Sequence, residues 1–223
     1  MTSGSNVRID RVVTSGTFSL DGGTWEVDNN VWIIGNDTEC LVIDPAHNPA
    51  EIAEAVNGRK VTAILLTHGH DDHIRYAGEF RDLVKAPVHL HRDDWMLWHA
   101  VFPDQDPDKA IEDGEEFTVA GATLKALHTP GHSPGSVSFL LPGHGKPAEP
   151  GASVNTVFSG DTLFQGGPGA TGRSYSDFPT IIESIRTRLL SLPEDTVVLT
   201  GHGESTSIGA EKPHLDEWIA RGH

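Results

Sequence analysis

A single cysteine among 223 residues leaves no partner for an intramolecular disulfide and no thiolate cage for a metal. Neither a disulfide-stapled scaffold nor a zinc finger is therefore open to this chain. Basic residues are also scarce, 16 Lys and Arg against 32 Asp and Glu, for a formal charge of −16. A surface that binds nucleic acid or anionic membrane needs a basic footprint to release counterions from phosphates, and this composition supplies none. No run approaches the roughly 18 apolar residues of a membrane span. The opening MTSGSNVRID lacks the apolar stretch of a signal peptide. The expectation is a soluble, cytoplasmic protein without nucleic-acid or membrane partners. What is present is a hydrophobic content of 37%, ample for a core, and 13 histidines with no terminal tag to account for them.

No short repeat or low-complexity tract interrupts the chain, so one domain over residues 1–223 is expected. Apolar runs at 27–34, 40–43, 61–66, 87–90, 156–159 and 196–199 read as strands, and the stretch 115–141 is strand-like with turns at Gly121 and Pro130-Gly131. Helical spacing appears over 50–56, 74–84, 92–100, 179–190 and 212–220. Three Pro and three Gly in 142–151 suggest an exposed hairpin loop. Strands alternate with helices but hairpins intervene, so the class is mixed α/β with mixed rather than purely parallel sheets.

The chemistry is concentrated after the strand that ends in Leu65-Leu66. His68-Gly69-His70-Asp71-Asp72-His73, after Thr67, packs three imidazoles and two carboxylates into six residues. In an extended segment alternate side chains point the same way, so His68 and His70 converge on one point while Asp72 and His73, at a helix start, face a second. Neutral imidazole and carboxylate suit zinc, iron or manganese. The same pattern of strand, hydroxyl residue, glycine and potential ligand recurs in Leu127-His128-Thr129-Pro130-Gly131-His132, Val157-Phe158-Ser159-Gly160-Asp161 and Val198-Leu199-Thr200-Gly201-His202. Counting donors assigns His68, His70 and His132 to one metal and Asp72, His73 and His202 to another, with Asp161 bridging. Three protein ligands plus a bridge leave room for a shared water, the open pattern of catalytic sites.

HGHDDH, Gly131-His132, Gly160-Asp161 and Gly201-His202, preceded by Leu41-Val42-Ile43-Asp44-Pro45, resemble the ordered motifs of the metallo-β-lactamase superfamily over about residues 27–213. The resemblance implies a four-layer αββα sandwich of two mixed β-sheets flanked by helices, with two divalent metals at one edge, zinc first and iron or manganese as alternatives. It also places Asp44 behind the ligands, where it orients an imidazole or polarises bound water. Ser159-Gly160-Asp161-Thr162-Leu163-Phe164, Gly172-Arg173-Ser174 and 201–209 with Glu211-Lys212 resemble glyoxalase II-like hydrolases, which cleave S-2-hydroxyacyl thiols. Only 21 residues follow His202, a short form without the helical C-terminal domain, and Pro213-His214 replaces the usual Asn-Pro. Both departures point away from glutathione as the thiol.

The implied reaction is attack of a metal-bridging hydroxide on a small-molecule thioester or ester, with Asp161 and Asp72 as catalytic carboxylates, Asp72 orienting the nucleophile. By family analogy Lys212 pairs with a substrate carboxylate; Tyr175 and Trp98 are candidates for the substrate mouth. Alternatives share the fold: an iron-dependent persulfide dioxygenase using His68, His132 and Asp161, or a lactonase or β-lactamase-like hydrolase. Gly131-His132-Ser133-Pro134-Gly135 imitates a serine nucleophile elbow, but Pro134 lacks the backbone N–H that an oxyanion needs. The G-x-G-x-x-G at 167–172 opens no helix and reads as an active-site loop. Cys40 reads as a buried small hydrophobe and His128 as a core or edge residue. His47, His89, His91, His99, His144, His214 and His223 form no converging pattern.

Overall fold

The computed structural model describes residues 7–145 and 154–222. The first sheet contains β1 (Arg8–Leu20), β2 (Gly23–Gly35), β3 (Glu39–Ile43), β4 (Lys60–Leu65), β5 (Val88–His91) and β6 (Lys109–Ile111), in that spatial order. Its pairing is antiparallel as far as β3 and parallel from β3 to β6. The second sheet is built from β7 (Glu116–Val119), β8 (Ala122–His128), β9 (Val137–Gly145), β10 (Val154–Gly160), β13 (Val197–Thr200) and β14 (Thr206–Ser207), with β10 and β13 pairing in parallel. A two-stranded ribbon, β11 (Leu163–Phe164) with β12 (Gly167–Pro168), lies between β10 and β13 in the chain.

Side-chain alternation along the inner strands explains the layers. Trp32, Ile34, Leu41, Ile43 and Leu65 face the second sheet and meet Phe117, Leu124, Phe139, Leu141 and Phe158. Their sequence neighbours Ile33, Cys40, Val42 and Ile64 point the other way, onto α1 (Pro49–Val56), α3 (Ala77–Val84) and α4 (Trp95–Val101) through Ile52, Phe80 and Trp98. The outer face of the second sheet carries Leu127, Val157 and Val198 against Ile181 of α5 (Phe178–Ser184), Ile185 and Leu189 of the π-helical turn that follows, and Trp218 of α7 (Leu215–Arg221). The result is the expected αββα sandwich of mixed sheets. No helix among the described residues is long and apolar enough to cross a membrane.

Several elements differ from the sequence reading. The strand expected to begin at residue 27 begins at Gly23 and is preceded by a 13-residue partner, β1. Much of this hairpin is polar and half-exposed, so apolar periodicity could not find it. Its Asp21-Gly22 turn, with φ of 52° and 77°, is nevertheless a known hairpin signal. The helix expected over 74–84 is two pieces, α2 (Asp71–Ile74) and α3, and Leu83 is exposed rather than core-facing. The final helix divides into α6 (Ile208–Glu211), a 3-10 turn at Lys212–His214 and α7, because Pro213 supplies no N–H to a continuous α-helix. Of the loop expected at 142–151, residues 142–145 extend β9 and residues 146–151 lie outside the described residues. The short strands β6 and β14 were not foreseen.

Candidate metal centre

His68 and His70 follow β4, and His70 is the N-cap of α2, whose first turn carries Asp72 and His73. His132, Asp161 and His202 follow the ends of β8, β10 and β13. The sandwich brings all seven to one edge in two adjoining groups. Ligand atoms of His68, His70 and His132 all lie within 4.8 Å of one another, as do those of Asp72, His73 and His202. His68 Nε2 is 3.0 Å from His70 Nδ1, and His73 Nε2 is 3.2 Å from His202 Nε2. Asp161 reaches both groups: its Oδ2 is 3.7 Å from His132 Nε2 and 3.2 Å from His202 Nε2, while Oδ1 is 3.6 Å from His73 Nε2.

The outward nitrogens are tied down. His132 Nδ1 donates to the Ala170 carbonyl at 2.9 Å and His202 Nδ1 to that of Asp28 at 2.7 Å, so each Nε2 turns a lone pair inward. His73 Nδ1 bonds Asp44 Oδ2 at 2.9 Å, and His68 Nδ1 pairs with Thr67 Oγ1 at 3.1 Å. Asp44 is thus hydrogen-bonded to one imidazole of the cluster. Its carboxylate also accepts from the Thr67 N–H and hydroxyl at 2.7 and 2.6 Å.

His70 Nε2, His132 Nε2 and Asp161 Oδ1 are buried without a protein partner. Buried acceptors without a partner are costly unless a positive charge lies beside them, and borderline nitrogen donors with carboxylate oxygens match a transition-metal or zinc dication. The titration behaviour points the same way. Burial and neighbouring imidazoles hold His68 well below its ordinary value, and burial with His132 takes His70 down to about 3. Burial also opposes charge on His73 and His202. There, however, Asp72, Asp44 and Asp161 together raise His73 to about 9, and Asp161 with Asp72 raises His202 to about 11. The carboxylates thus create a strong demand for positive charge at their edge of the cluster, the field in which a dication is stabilised.

Three supporting residues were missed from sequence. Asn29 donates from Nδ2 to Asp72 Oδ2 at 3.0 Å, and its Oδ1 accepts from His47 Nε2 at 2.8 Å, giving His47 a place it lacked. Asp94, fully buried, accepts from the Gly69 N–H at 2.7 Å, the Gly135 N–H at 2.6 Å and the Ser133 hydroxyl at 2.6 Å. It thereby ties the His68-His70 loop to the His132 loop, and Ser133 of the elbow-like motif is occupied structurally. Only the Arg-Asp-Asp-Trp context marks Asp94 in sequence, which reads as surface charge.

The metal-facing side chains open into a cleft of about 380 Å³, walled by Phe18 and Val27 of the β1–β2 hairpin and by Phe164, Ala170 and Arg173 of the following loops. Of the glycine-rich stretch 167–172, Ala170 lines the cleft. The proposed substrate contacts fare differently. Trp98 is wholly buried in the outer core, its Nε1 donating to Gln105 O at 2.8 Å, so it does not reach the cleft. Lys212 lies 3.6 Å from Glu194 and is absent from the cleft wall. Tyr175, at φ 70° and largely exposed, sits between the cleft residues Arg173 and Ser176 without lining it. His128 stacks on His91 at 4.2 Å and, with Asp93, forms a separate grouping outside the cleft. His89 is buried against Phe117, His99 and His214 pair with Asp106 and Glu217, His144 bonds a local carbonyl, and His223 lies outside the described residues. Cys40 is buried, and burial raises its thiol to about 11.

Residues 24–202 match the family described as the metallo-β-lactamase superfamily. A probable metallo-hydrolase of Bacillus subtilis is 36% identical, covering 79% of this chain and 86% of its own length. The hydroxyacylglutathione hydrolase GloC of Haemophilus influenzae is 31% identical over 79% of this chain and 86% of its own. Among solved structures, the BLEG-1 B3 metallo-β-lactamase superposes with a TM-score of 0.71 at 28% identity, covering 91% of this chain and 98% of that one. TTHA1623, solved in a di-iron-bound form, gives 0.65 at 30% identity over 90% and 97%.

Proposed function

The chain belongs to the metallo-β-lactamase superfamily of metallohydrolases, and from that membership we propose that it hydrolyses a small-molecule thioester of the S-2-hydroxyacyl thiol class. The observation that carries the reading is the pair of adjoining His/Asp groups sharing Asp161 at the floor of an open cleft. We assign His68, His70 and His132 to one divalent metal and Asp72, His73 and His202 to a second, with Asp161 common to both and zinc as the leading ion. When bound, such ions supply Lewis acidity toward a carbonyl and lower the proton affinity of water. The thioester reading is supported by the Ser159–Phe164 and 201–209 segments and by the relative named hydroxyacylglutathione hydrolase.

The protein's own groups then have separable tasks. Asp72, with Oδ2 fixed by Asn29, is placed to orient the attacking water. The water oxygen bonds to the carbonyl carbon, the C–S bond breaks, and the departing thiolate takes up the proton that the water gives up, leaving a carboxylic acid and a thiol. Asp44 and the Asp28 and Ala170 carbonyls hold the imidazoles in one tautomer throughout. Phe18, Val27 and Phe164 exclude water around the acyl group. The acidic surface is proposed to leave nucleic acid and anionic membrane outside the range of partners.

Metal analysis joined to a substrate panel tests this. About two metal ions per chain with thioester cleavage is expected. One iron, with oxygen consumed on a thiol persulfide, would replace the reading with a dioxygenase, and preference for a lactone or β-lactam would move it to those hydrolases. His70→Ala and Asp161→Ala should each lose metal affinity and turnover by at least about 10–100-fold, the loss typical of groups that merely support a ligand. Full turnover in either variant sinks the two-metal assignment.

A further inference from the structure

Arg173 is a cation on the cleft wall. It lines the same wall as His70, His132, Asp161 and His202. Its Nη1 is buried without a hydrogen-bond partner, and among the described residues no carboxylate lies within ion-pair distance of it. Asp21, the nearby acid on the hairpin turn, accepts from the Ser174 N–H and hydroxyl at 3.0 and 2.6 Å. Held low first by these bonds, it also feels the Arg173 charge but makes no ion pair with it. A buried guanidinium N–H left unpaired costs free energy that the fold has no evident reason to bear.

The side chain is nevertheless held firmly. Its guanidinium carbon is 3.9 Å from the Trp25 ring centre and 5.0 Å from that of Phe18, two residues directly opposed across the β1–β2 hairpin, with rings 5.7 Å apart. Cation–π contact orients a guanidinium without neutralising it. Phe18 in turn packs 5.2 Å from the His70 ring, so the charge is positioned relative to the metal-facing groups through one aromatic neighbour. An oriented guanidinium on a cleft wall, without an ion-pair partner, is an arrangement that recognises a planar anion by paired hydrogen bonds.

We propose that Arg173 forms an anion subsite and that the substrate carries a carboxylate on the arm that lies against Phe18 and Trp25. A monoanion is favoured over a phosphate because Arg173 is the sole Arg or Lys among the residues lining a cleft whose walls are otherwise apolar, imidazole or acidic apart from the Ser176 hydroxyl. This rests on the ester-hydrolase reading of the same cleft and deepens it, replacing Lys212 as the group that meets a substrate carboxylate.

The test uses matched substrates and the intact metal-loaded protein. Lactoyl thioesters of mercaptoacetate and of mercaptoacetamide place a carboxylate or its neutral amide on the thiol arm. Succinyl and methyl-succinyl thioesters of one neutral thiol do the same on the acyl arm. In the wild type, one of the two pairs should favour the carboxylate by about 10–100-fold in kcat/KM, chiefly through KM, as expected for a charge-assisted hydrogen bond. In Arg173→Gln that ratio should collapse toward one, and Arg173→Lys should recover part of it, with metal content and thermal midpoint reported for each variant. If no thioester is cleaved, calorimetric binding of the corresponding thioethers, carboxylate against carboxamide, reads the subsite independently of the reaction. The proposal is overturned if neither pair shows a preference in turnover or binding, if a phosphorylated arm is preferred over the carboxylate, or if Arg173→Gln retains the wild-type ratio.

Discussion

Gly201 shows how little space separates the two halves of the centre. A Cβ built there would lie 2.1 Å from Asp161 Oδ1 and 3.1 Å from His73 Cε1. Gly201→Ala must therefore displace the carboxylate that both groups share, and metal content should fall as sharply as in Asp161→Ala while the thermal midpoint measured without metal changes less. His89 poses a different residue-scale question, because it is buried beside the Lys109 strand with Nδ1 unpartnered. Burial, then Lys109, pushes its pKa down to about 4, below the ordinary 6.5. The unfolded chain therefore binds the proton first, so stability is full above about pH 6.5 and is lost as pH falls toward 4. His89→Leu should flatten that part of the thermal midpoint's pH dependence; an unchanged slope relative to wild type would refute the assignment. At this scale the metal-facing residues were readable because glycine and histidine recur at the ends of apolar strands. Asp94 and Asn29 were not readable, since each acts on partners tens of residues away and resembles ordinary polar surface in its own neighbourhood.

Among the elements, the β1–β2 hairpin does most to shape the cleft and was the one least visible in sequence. Apolar periodicity finds strands that bury one face continuously, and β1 buries only Thr14 fully. Its tip is joined to the loop carrying Arg173 by the two Asp21–Ser174 hydrogen bonds. Asp21→Ala should leave the centre intact but raise amide exchange across 166–177 and increase KM more than it lowers kcat. Unaltered exchange there would mean that the aromatic clamp alone holds the loop. The strands β3, β4, β10 and β13 were legible, because parallel or central strands buried on both faces read as plain apolar runs. The Trp98 helix was legible as a helix but not in the direction its indole takes, since spacing alone does not say which layer a face meets.

For the whole molecule, the decisive fact is that the candidate ligands come from both sheets. His68, His70, Asp72 and His73 follow a strand of the first sheet, and His132, Asp161 and His202 follow strands of the second. Backbone bonds from Val137 N to Thr67 O and from Asn30 N to Gly201 O, both 2.7 Å, already join the sheets at this edge. A bound dication adds a cross-link between them that the unfolded chain cannot make. At one hundred times Kd such a ligand contributes about 2.7 kcal/mol per site, or roughly 5–10 °C in Tm for a domain of this size. Chelation should lower Tm by at least that amount and re-addition of metal should restore it; indifference of Tm to chelator would argue against tight binding. The −16 formal charge was legible from composition, but its distribution was not. The acids that face the centre create a demand for cations, whereas Arg173 leaves a positive point on the wall.

The lone thiol, enclosed by the outer core and protonated up to about pH 11, makes the cleft walls open to site-directed labelling. A protein without an accessible sulfhydryl is a blank background for maleimide chemistry. A cysteine introduced at the exposed Glu26 of β2 and another at the exposed Gln165 between β11 and β12, each beside a residue of the cleft wall, would carry a pair of spin labels or fluorophores. The distance between them would report, in solution and substrate by substrate, whether the two walls of the cleft approach one another.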